Sequence, residues 1–530
     1  MPSEVTTLRK SGNLQGAYEL GLRNFEANPT DVWAKRDLGW VYFEYLKENI
    51  NNVQIFVNVL KAFSALDMDI NTEDMIFLNI YRQIYKFIQA YEEYNSLSDN
   101  IALLTELFTI LSNFEKKINP VGLMSLNEAR FWLGKSIHVA LKEDKDSYIT
   151  FIDWFKLENL GGKSFEEYKT EEGKTLMSQG EQMIHRYLKK LIEQDKQNLL
   201  MEPDHDRIVH LINYLEKNIV VRKKEFHKKW NNYWLAQLYK TLGNNEKALY
   251  HLKQFVRENE TFSWAWEKLT YFYEENQDII FAFLCKGAST NEPNSLKGKI
   301  FEQLIPFFLE KNEFDIAKTL VNTYLESREE NWTSKEEISI LRNASWFETA
   351  KKINLNKVLL ENSKAAMDYI FNDVPEFPIL VTHINRERNI INFVFEKKTN
   401  EYGKGFFKLP RGSRLPQIDK VYLAKLHNQD DGERFKCISL SKNKLNQETP
   451  FIREFEGVLE IQSGNSFGFI RSTKDIFISP ALVKLHKLSE KFDSKPLKLT
   501  LTAKIDFNRK KNSWGWSAIE INHTEVLTHG

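Results

Sequence analysis

The spacing of apolar residues changes near residue 373. Before it, large apolar residues recur every three or four positions, which predicts helices with one buried face. Phe77, Ile80, Tyr81, Ile84, Tyr85 and Ile88 form one such stripe. Phe131, Trp132, Ile137, Ala140 and Leu141 predict a second, less regular one. The string Val374-Pro375-Glu376-Phe377-Pro378 then breaks the helical pattern with two prolines. Beyond it come short runs rich in β-branched and aromatic residues. Ile379 to Ile384, Ile390 to Phe395, Gly405 to Leu409, Val421 to Leu426 and Phe435 to Leu440 predict five strands. A second set follows from Phe455 to about Ile521. The expected fold is multidomain, an all-α region followed by two small all-β barrels of OB type.

An internal repeat organises part of the helical region. Ala248, Ala282 and Ala317 are spaced 34 and 35 apart. Leu235 and Tyr239, Leu269 and Tyr273, and Leu304 and Phe308 stand 13 and 9 residues before these alanines. Trp266 and Phe301 each lie 16 before theirs, and Gly243 lies five before Ala248, where a turn between helices is expected. Near the N-terminus Gly12 and Ala17 repeat the five-residue offset, and Trp33, Leu38, Gly39 and Tyr42 follow Pro29. This pattern resembles tetratricopeptide repeats over about 1–47 and 230–325. In that arrangement a small residue lets two helices approach and an aromatic fills the gap beside the next pair. The resemblance implies a solenoid whose concave surface holds a protein partner. Residues 50–230 are expected to extend it as degenerate helix pairs. The polar segment Gln194 to Arg207, with Pro203, predicts a loop or soft joint. The expected domains are a helical region over 1–229, TPR-like repeats over 230–372, a first barrel over 376–450 and a second over 453–525.

Charge separates the two halves. The chain carries 73 basic and 73 acidic residues, yet from Glu376 onward there are 26 basic against 18 acidic, leaving 47 against 55 before it. A polyanion would therefore meet the C-terminal part. Two isolated cysteines, Cys285 and Cys437, rule out a disulfide framework and a cysteine-based zinc site, and fit a reducing cytosol. Met1 to Lys10 hold no apolar core of signal-peptide length, and no stretch approaches the roughly 18 apolar residues of a membrane span. A cytoplasmic protein with no membrane contact is expected.

The second barrel carries the most specific motif. Phe455-Glu456-Gly457-Val458-Leu459-Glu460-Ile461 leads to Gly464-Asn465-Ser466-Phe467-Gly468-Phe469-Ile470, and Asp475-Ile476-Phe477-Ile478-Ser479-Pro480-Ala481-Leu482-Val483 follows. This resembles a cold-shock domain, with its Gly-Val strand, its Phe-Gly-Phe-Ile strand and its Asp-x-Phe strand. Alternate strand residues face the same way, so Phe467 and Phe469 are expected on one face, with Phe477 beside them. Such rings form a platform for unpaired bases, worth about 1–3 kcal/mol per base. Arg471, Lys474, Lys484, Lys504, Arg509, Lys510 and Lys511 are expected to hold phosphates, and Trp514 to add a ring.

The chain departs from the family in places. Leu459-Glu460-Ile461-Gln462 stands where Lys-Trp-Phe-Asn is usual, which removes a stacking ring and turns an acid toward the ligand. Ser466 replaces a lysine and Ser479 a histidine. Two alternatives stay open. The barrel serves as a structural or protein-binding module with Phe467 or Phe469 buried, or Trp514 and Trp516 close its core. In the first barrel, Lys404-Gly405-Phe406-Phe407 echoes the aromatic strand and fits either a nucleic-acid site or an interdomain spacer.

Catalytic patterns are missing. There is no phosphate loop ending in Gly-Lys-Ser/Thr, no Gly-x-Ser-x-Gly elbow, no His-Glu-x-x-His helix and no Cys-His metal spacing. Glu202-Pro203-Asp204-His205-Asp206 is an acid–histidine cluster, expected to be a solvated loop without a fixed fourth metal ligand. No catalytic residue, metal or cofactor is expected. The layout resembles bacterial proteins that join tetratricopeptide repeats to cold-shock or OB domains. Some of these act in conflict systems against phage or plasmids, beside helicase, primase or nuclease genes. That resemblance implies a non-enzymatic adaptor for single-stranded RNA or DNA and a protein partner. The competing expectations are a protein scaffold whose barrels ignore nucleic acid, and an enzyme with its site in 50–230.

Overall fold

The structure is a computed structural model. It describes residues 2–527 apart from 116–123, 142–144, 167, 170, 172, 174, 197–201, 222–224, 274, 329–335, 410–414, 431–433, 443–448, 463–464, 472–473, 493–495 and 509–511. The chain forms two compact units, 1–252 and 253–530, with the boundary inside the helix Asn245–Glu258.

The first unit is built almost wholly of helices. The stripe expected over 77–88 lies on the helix Asp74–Tyr94, with Phe77, Ile80, Tyr81, Ile84 and Ile88 buried. It packs through rings, with Phe56 stacked on Phe87 at 4.2 Å and Phe63, Phe77 and Phe114 meeting edge to face. The second stripe is corrected. On the helix Met124–Ala140 the buried line runs through Leu126, Arg130, Leu133 and Ile137, a three-to-four-residue step that leaves Trp132 outside. Trp132 is exposed, with the Lys135 ammonium over its ring. A purely helical 50–230 is corrected as well. Between Leu157 and Leu176 the chain makes two short 3₁₀ turns and a small hairpin of β1 (Tyr168–Lys169) and β2 (Thr175–Leu176).

The loop expected around Pro203 is partly helix. Residues 197–201 are not described, but a helix runs Glu202–Val221 and Pro203 sits in its first turn. A proline there costs nothing, because first-turn N–H groups have no intrahelical acceptor. Within this helix Asp204 is buried and ion-paired with Arg207 at 2.8 Å, one turn on. Arg207 also clamps Asp153 with two hydrogen bonds of 3.2 and 2.7 Å. An arginine thus occupies the acidic cluster, and among the described residues no group of three His, Cys, Asp or Glu is arranged to hold a metal.

Three helical hairpins share one turn. They are Glu4–Lys10 with Leu14–Ala27, Glu225–Thr241 with Asn245–Glu258, and Gly298–Glu310 with Phe314–Arg328. In each, the residue five before the alanine takes a left-handed backbone: Gly12, Gly243 and Asn312. The next residue donates its N–H back to a carbonyl five earlier: Asn13 to Leu8, Asn244 to Tyr239 and Glu313 to Phe308, at 2.9–3.0 Å. This is the same glycine-type helix cap three times. Ala17, Ala248 and Ala317 are fully buried after it. Ala282 is buried too, on Gln277–Ala288, but Gln277, five residues before it, does not take the left-handed backbone.

His138 reports on the first unit's dependence on pH. It is buried, and its Nδ1 lies 2.7 Å from the Tyr148 hydroxyl. Burial, and then the charge of Arg186, push it down to about 3. In the unfolded chain it takes up its proton near 6.5. The unfolded state therefore binds more protons below that value, and stability falls as pH drops from about 6.5 toward 3, by about 1.4 kcal/mol per pH unit from this group. Urea unfolding of the parent and a His138→Gln variant between pH 7 and about 4 checks this. The parent should lose stability faster, by one proton's slope, and equal slopes would refute the assignment.

In the second unit the helix that precedes the barrels, Lys364–Ile370, is tied down at its end. The buried Arg257 donates to the Ile370 carbonyl at 2.9 Å and pairs with Asp373. Lys425 of the first barrel donates to the Phe371 carbonyl at 3.0 Å. That barrel consists of β3 (Glu376–Asn385), β4 (Ile390–Lys398), β5 (Glu401–Lys408), β6 (Val421–Asp430) and β7 (Arg434–Lys442), so all five expected strands form. It closes in the order β3-β4-β5-β7-β6. A Cβ on Gly405 would come within 2.4 Å of the Phe393 ring, and one on Gly403 within 2.5 Å of Phe395, so the glycines make room for the barrel's core aromatics. Cys437 is buried here and Cys285 in the helices; burial pushes both thiols up to about 12.

The second barrel consists of β8 (Ile452–Glu460), β9 (Gly468–Arg471), β10 (Asp475–Ile478), β11 (Leu497–Asn508) and β12 (Ser513–Val526). It closes as β8-β9-β10-β12-β11. Counted from each barrel's first strand, both orders are 1-2-3-5-4, with strands 3 and 5 parallel and the other pairings antiparallel. One apolar cluster runs through both, joining Leu380, Val394 and Tyr402 of the first barrel to Phe451 and the core of the second.

Candidate nucleic-acid interface

Strand alternation decides what the second barrel shows to solvent. Ile470 on β9 and Ile476 and Ile478 on β10 point inward and are fully buried. Phe469 and Phe477 have the opposite parity and are half-buried on the outer face. They are a directly opposed cross-strand pair with ring centroids 5.7 Å apart. Phe467, just before β9, joins them, with its centroid 5.8 Å from each of the other two. The three rings touch at interplanar angles of 46° to 89°, the tilted and edge-on contacts that aromatic quadrupoles favour. Gly468 between them lies within the barrel wall; a Cβ there would stand 3.1 Å from both Ile461 and Leu459. The expected juxtaposition of Phe467, Phe469 and Phe477 is present, outside the barrel core.

The charges around the triad are mixed. Glu460 on β8 pairs in register with Phe469, so the acid sits beside the rings on the same face. Its carboxylate is 2.9 Å from the Arg471 guanidinium, with side chains 51% and 70% exposed. Arg471 is thus shared with an acid, although an exposed pair of this kind is weak and open to exchange. Lys474, one residue before β10, is exposed, as is Lys484 on the short helix Pro480–Leu485. Ser479, at the position of a family histidine, caps that helix by accepting from the Leu482 N–H. Lys504 is engaged elsewhere, 2.5 Å from Asp419 of the first barrel and largely covered. Arg509, Lys510 and Lys511 lie outside the described residues.

The two tryptophans divide. Trp516 is buried in the core, edge-on to Phe455 at 4.9 Å. Trp514 is half-buried where the barrels meet, 5.8 Å from Tyr402 and 5.1 Å from Phe507. It lies three residues along β12 from Ser517, the residue paired with Phe477. Sequence reasoning missed that Asp419 would claim Lys504, since the pair is 85 residues apart and in different barrels.

A closed five-stranded barrel of order 1-2-3-5-4, with a solvent-facing aromatic cluster on strands 2 and 3, defines an OB-type module. Residues 453–521 match the family model described as S1/CSD-like domain 2 of the TOTE conflict systems. Residues 229–366 match a second model, described as a domain of unknown function, DUF7017. No curated protein matches the chain. Among the described residues no helix is long and apolar enough to cross a membrane.

Proposed function

We propose that this chain is a non-enzymatic adaptor that binds single-stranded RNA or DNA through its second barrel. The observation that carries this is the triad of Phe467, Phe469 and Phe477 on the outer face of strands 2 and 3. A core aromatic would have the inward parity of Ile470 and Ile476; these three have the outward one. Two or three half-open rings stack bases without regard to sequence. The match of residues 453–521 to an S1/CSD-like domain of conflict systems supports the same role and agrees with an association with such a system. The helical hairpins, with their thrice-repeated cap, fit a tetratricopeptide-type surface for a protein partner.

One observation favours a second reading. Glu460 stands in the row of the rings and pairs with Arg471, so the surface is less cationic than a strand-binding sheet usually is. A protein-binding scaffold with silent barrels accounts for that acid.

Titration of the full chain with fluorescein-labelled oligo-dT and oligo-U, at about 50 mM and 200 mM salt, separates the two. Binding should weaken with salt. Phe467→Ala with Phe469→Ala should lose about 2 kcal/mol or more while hydrogen exchange of the barrel stays as in the parent. An intact chain that ignores both strands at low salt leaves the scaffold reading in place.

A further inference from the structure

The two barrels share one strand order, so their strand lattices are comparable point by point. In the second barrel, Phe477 on strand 3 pairs antiparallel with Phe469 on strand 2 and parallel with Ser517 on strand 5. In the first barrel, Phe406 on strand 3 pairs antiparallel with Asn392 on strand 2 and parallel with Lys436 on strand 5. The neighbouring inward positions correspond as well, Gly405 with Phe393 and Ile476 with Ile470. Phe406 therefore occupies in the first barrel the place that Phe477 holds in the second.

Its surroundings differ from those of a core residue. Phe406 is 58% exposed, on a strand whose inward positions Gly403 and Gly405 are closed off by the rings of Phe395 and Phe393. Lys404 and Lys408, two residues to either side on the same strand, have the same parity and are exposed. Across the sheet, Asn392 and then the exposed His383 continue the row. The Lys404 ammonium lies 3.9 Å from the Phe507 ring centroid, so this edge of the face adjoins the second barrel.

We infer that Phe406 is a second single-strand stacking site, with Lys408 and Lys404 holding phosphates on either side and Asn392 facing the base. The chemistry is that of an unpaired base on an exposed ring between two cations. This rests on the reading of the second barrel for the ligand class, but on separate residues for the site.

The test uses the full chain and labelled oligo-dT and oligo-U of about 30 nucleotides, a length near the upper limit for two OB-fold sites. Phe406→Ala should weaken binding about 5- to 150-fold, the effect of one stacked base. Because the ring is exposed, the variant should keep the parent's thermal midpoint. Lys408→Ala should lower the slope of log affinity against log salt by about 0.7, one phosphate on a single strand. If Phe406→Ala binds like the parent while Phe467→Ala with Phe469→Ala loses the strand, this site is overturned and the second barrel's role stands. If only Phe406→Ala loses the strand, the site stands and the triad's role falls. A parent that binds neither strand at low salt overturns both.

Discussion

Arg130→Leu should cost the first unit about 3–5 kcal/mol, the usual penalty for stranding one member of a buried ion pair. Arg130 is 6% exposed, and its guanidinium is 2.7 Å from the Glu115 carboxylate. The same nitrogen donates to the Phe155 carbonyl at 3.2 Å and sits at the limit of reach of the Trp154 carbonyl, 3.5 Å away. The cation also lies 5.6 Å from the ring centroids of Trp154 and Phe155. Tyr81, itself buried, donates to the other Glu115 oxygen at 2.7 Å. Burial already raises the Glu115 carboxyl above its ordinary range, and Arg130 is the main influence pulling it back. Leucine would fill most of the volume but take the guanidinium away from the Glu115 carboxylate, which would keep the Tyr81 hydroxyl and lose its paired cation. Thermal unfolding followed by circular dichroism should show a first-unit midpoint lower by roughly 10 °C. Arg130→Leu combined with Glu115→Leu should recover part of that loss, because two matched apolar groups are cheaper than one stranded charge. A single variant within about 1 kcal/mol of the parent would show that the pair is hydrated or dispensable.

Gly457→Ala should open the second barrel, whereas Gly515→Ala should leave it unchanged. The two glycines lie on different strands of the same barrel, and the contrast is steric. A Cβ at Gly457 would stand 2.4 Å from the Arg471 carbonyl oxygen, closer than any real contact, and that oxygen belongs to backbone. β8 would have to move away from β9, which carries Phe469 and follows Phe467. Overpacking against a fixed neighbour costs about 1–3 kcal/mol and occasionally more. Here it also separates the strand that holds Glu460 from the strand that holds Arg471 and Phe469. At Gly515 nothing lies within 4 Å, so alanine should stay within about 0.5 kcal/mol. Hydrogen exchange over 452–526 is the direct measurement. Faster exchange in β8 and β9 for Gly457→Ala alone is the expected result, and equal protection in both variants would contradict it.

Gly457 also shows what was legible in the sequence. The Gly-Val pair was readable as a family motif, but its reason, a carbonyl pressed against the strand, needed coordinates. The alanine spacing revealed helix pairs because small residues mark close approach. The same search missed Asn312, which takes the left-handed backbone that Gly12 and Gly243 take elsewhere. Pro203 was misjudged because a proline breaks a helix interior yet suits its first turn. Trp132 was assigned to a buried face because it is large; helical geometry places Leu133 there instead. At the site, the Phe-Gly-Phe alternation foretold which rings point out, since strand parity is local. The ownership of Lys504 was not foretold, because Asp419 arrives from another barrel. Phe406 was visible as an echo, but its correspondence with Phe477 emerged only from strand register.

The apolar cluster that runs from Leu380 and Tyr402 into the second barrel has a mechanical consequence. Two modules on a slack tether sample many separations, and the gain from engaging both falls gradually as the tether lengthens. Modules fused through a common interior have one separation. The distance between Phe406 and Phe477 is then a property of the fold, and on the proposed reading a strand stacked on both rings would be measured against that fixed span, as by a caliper.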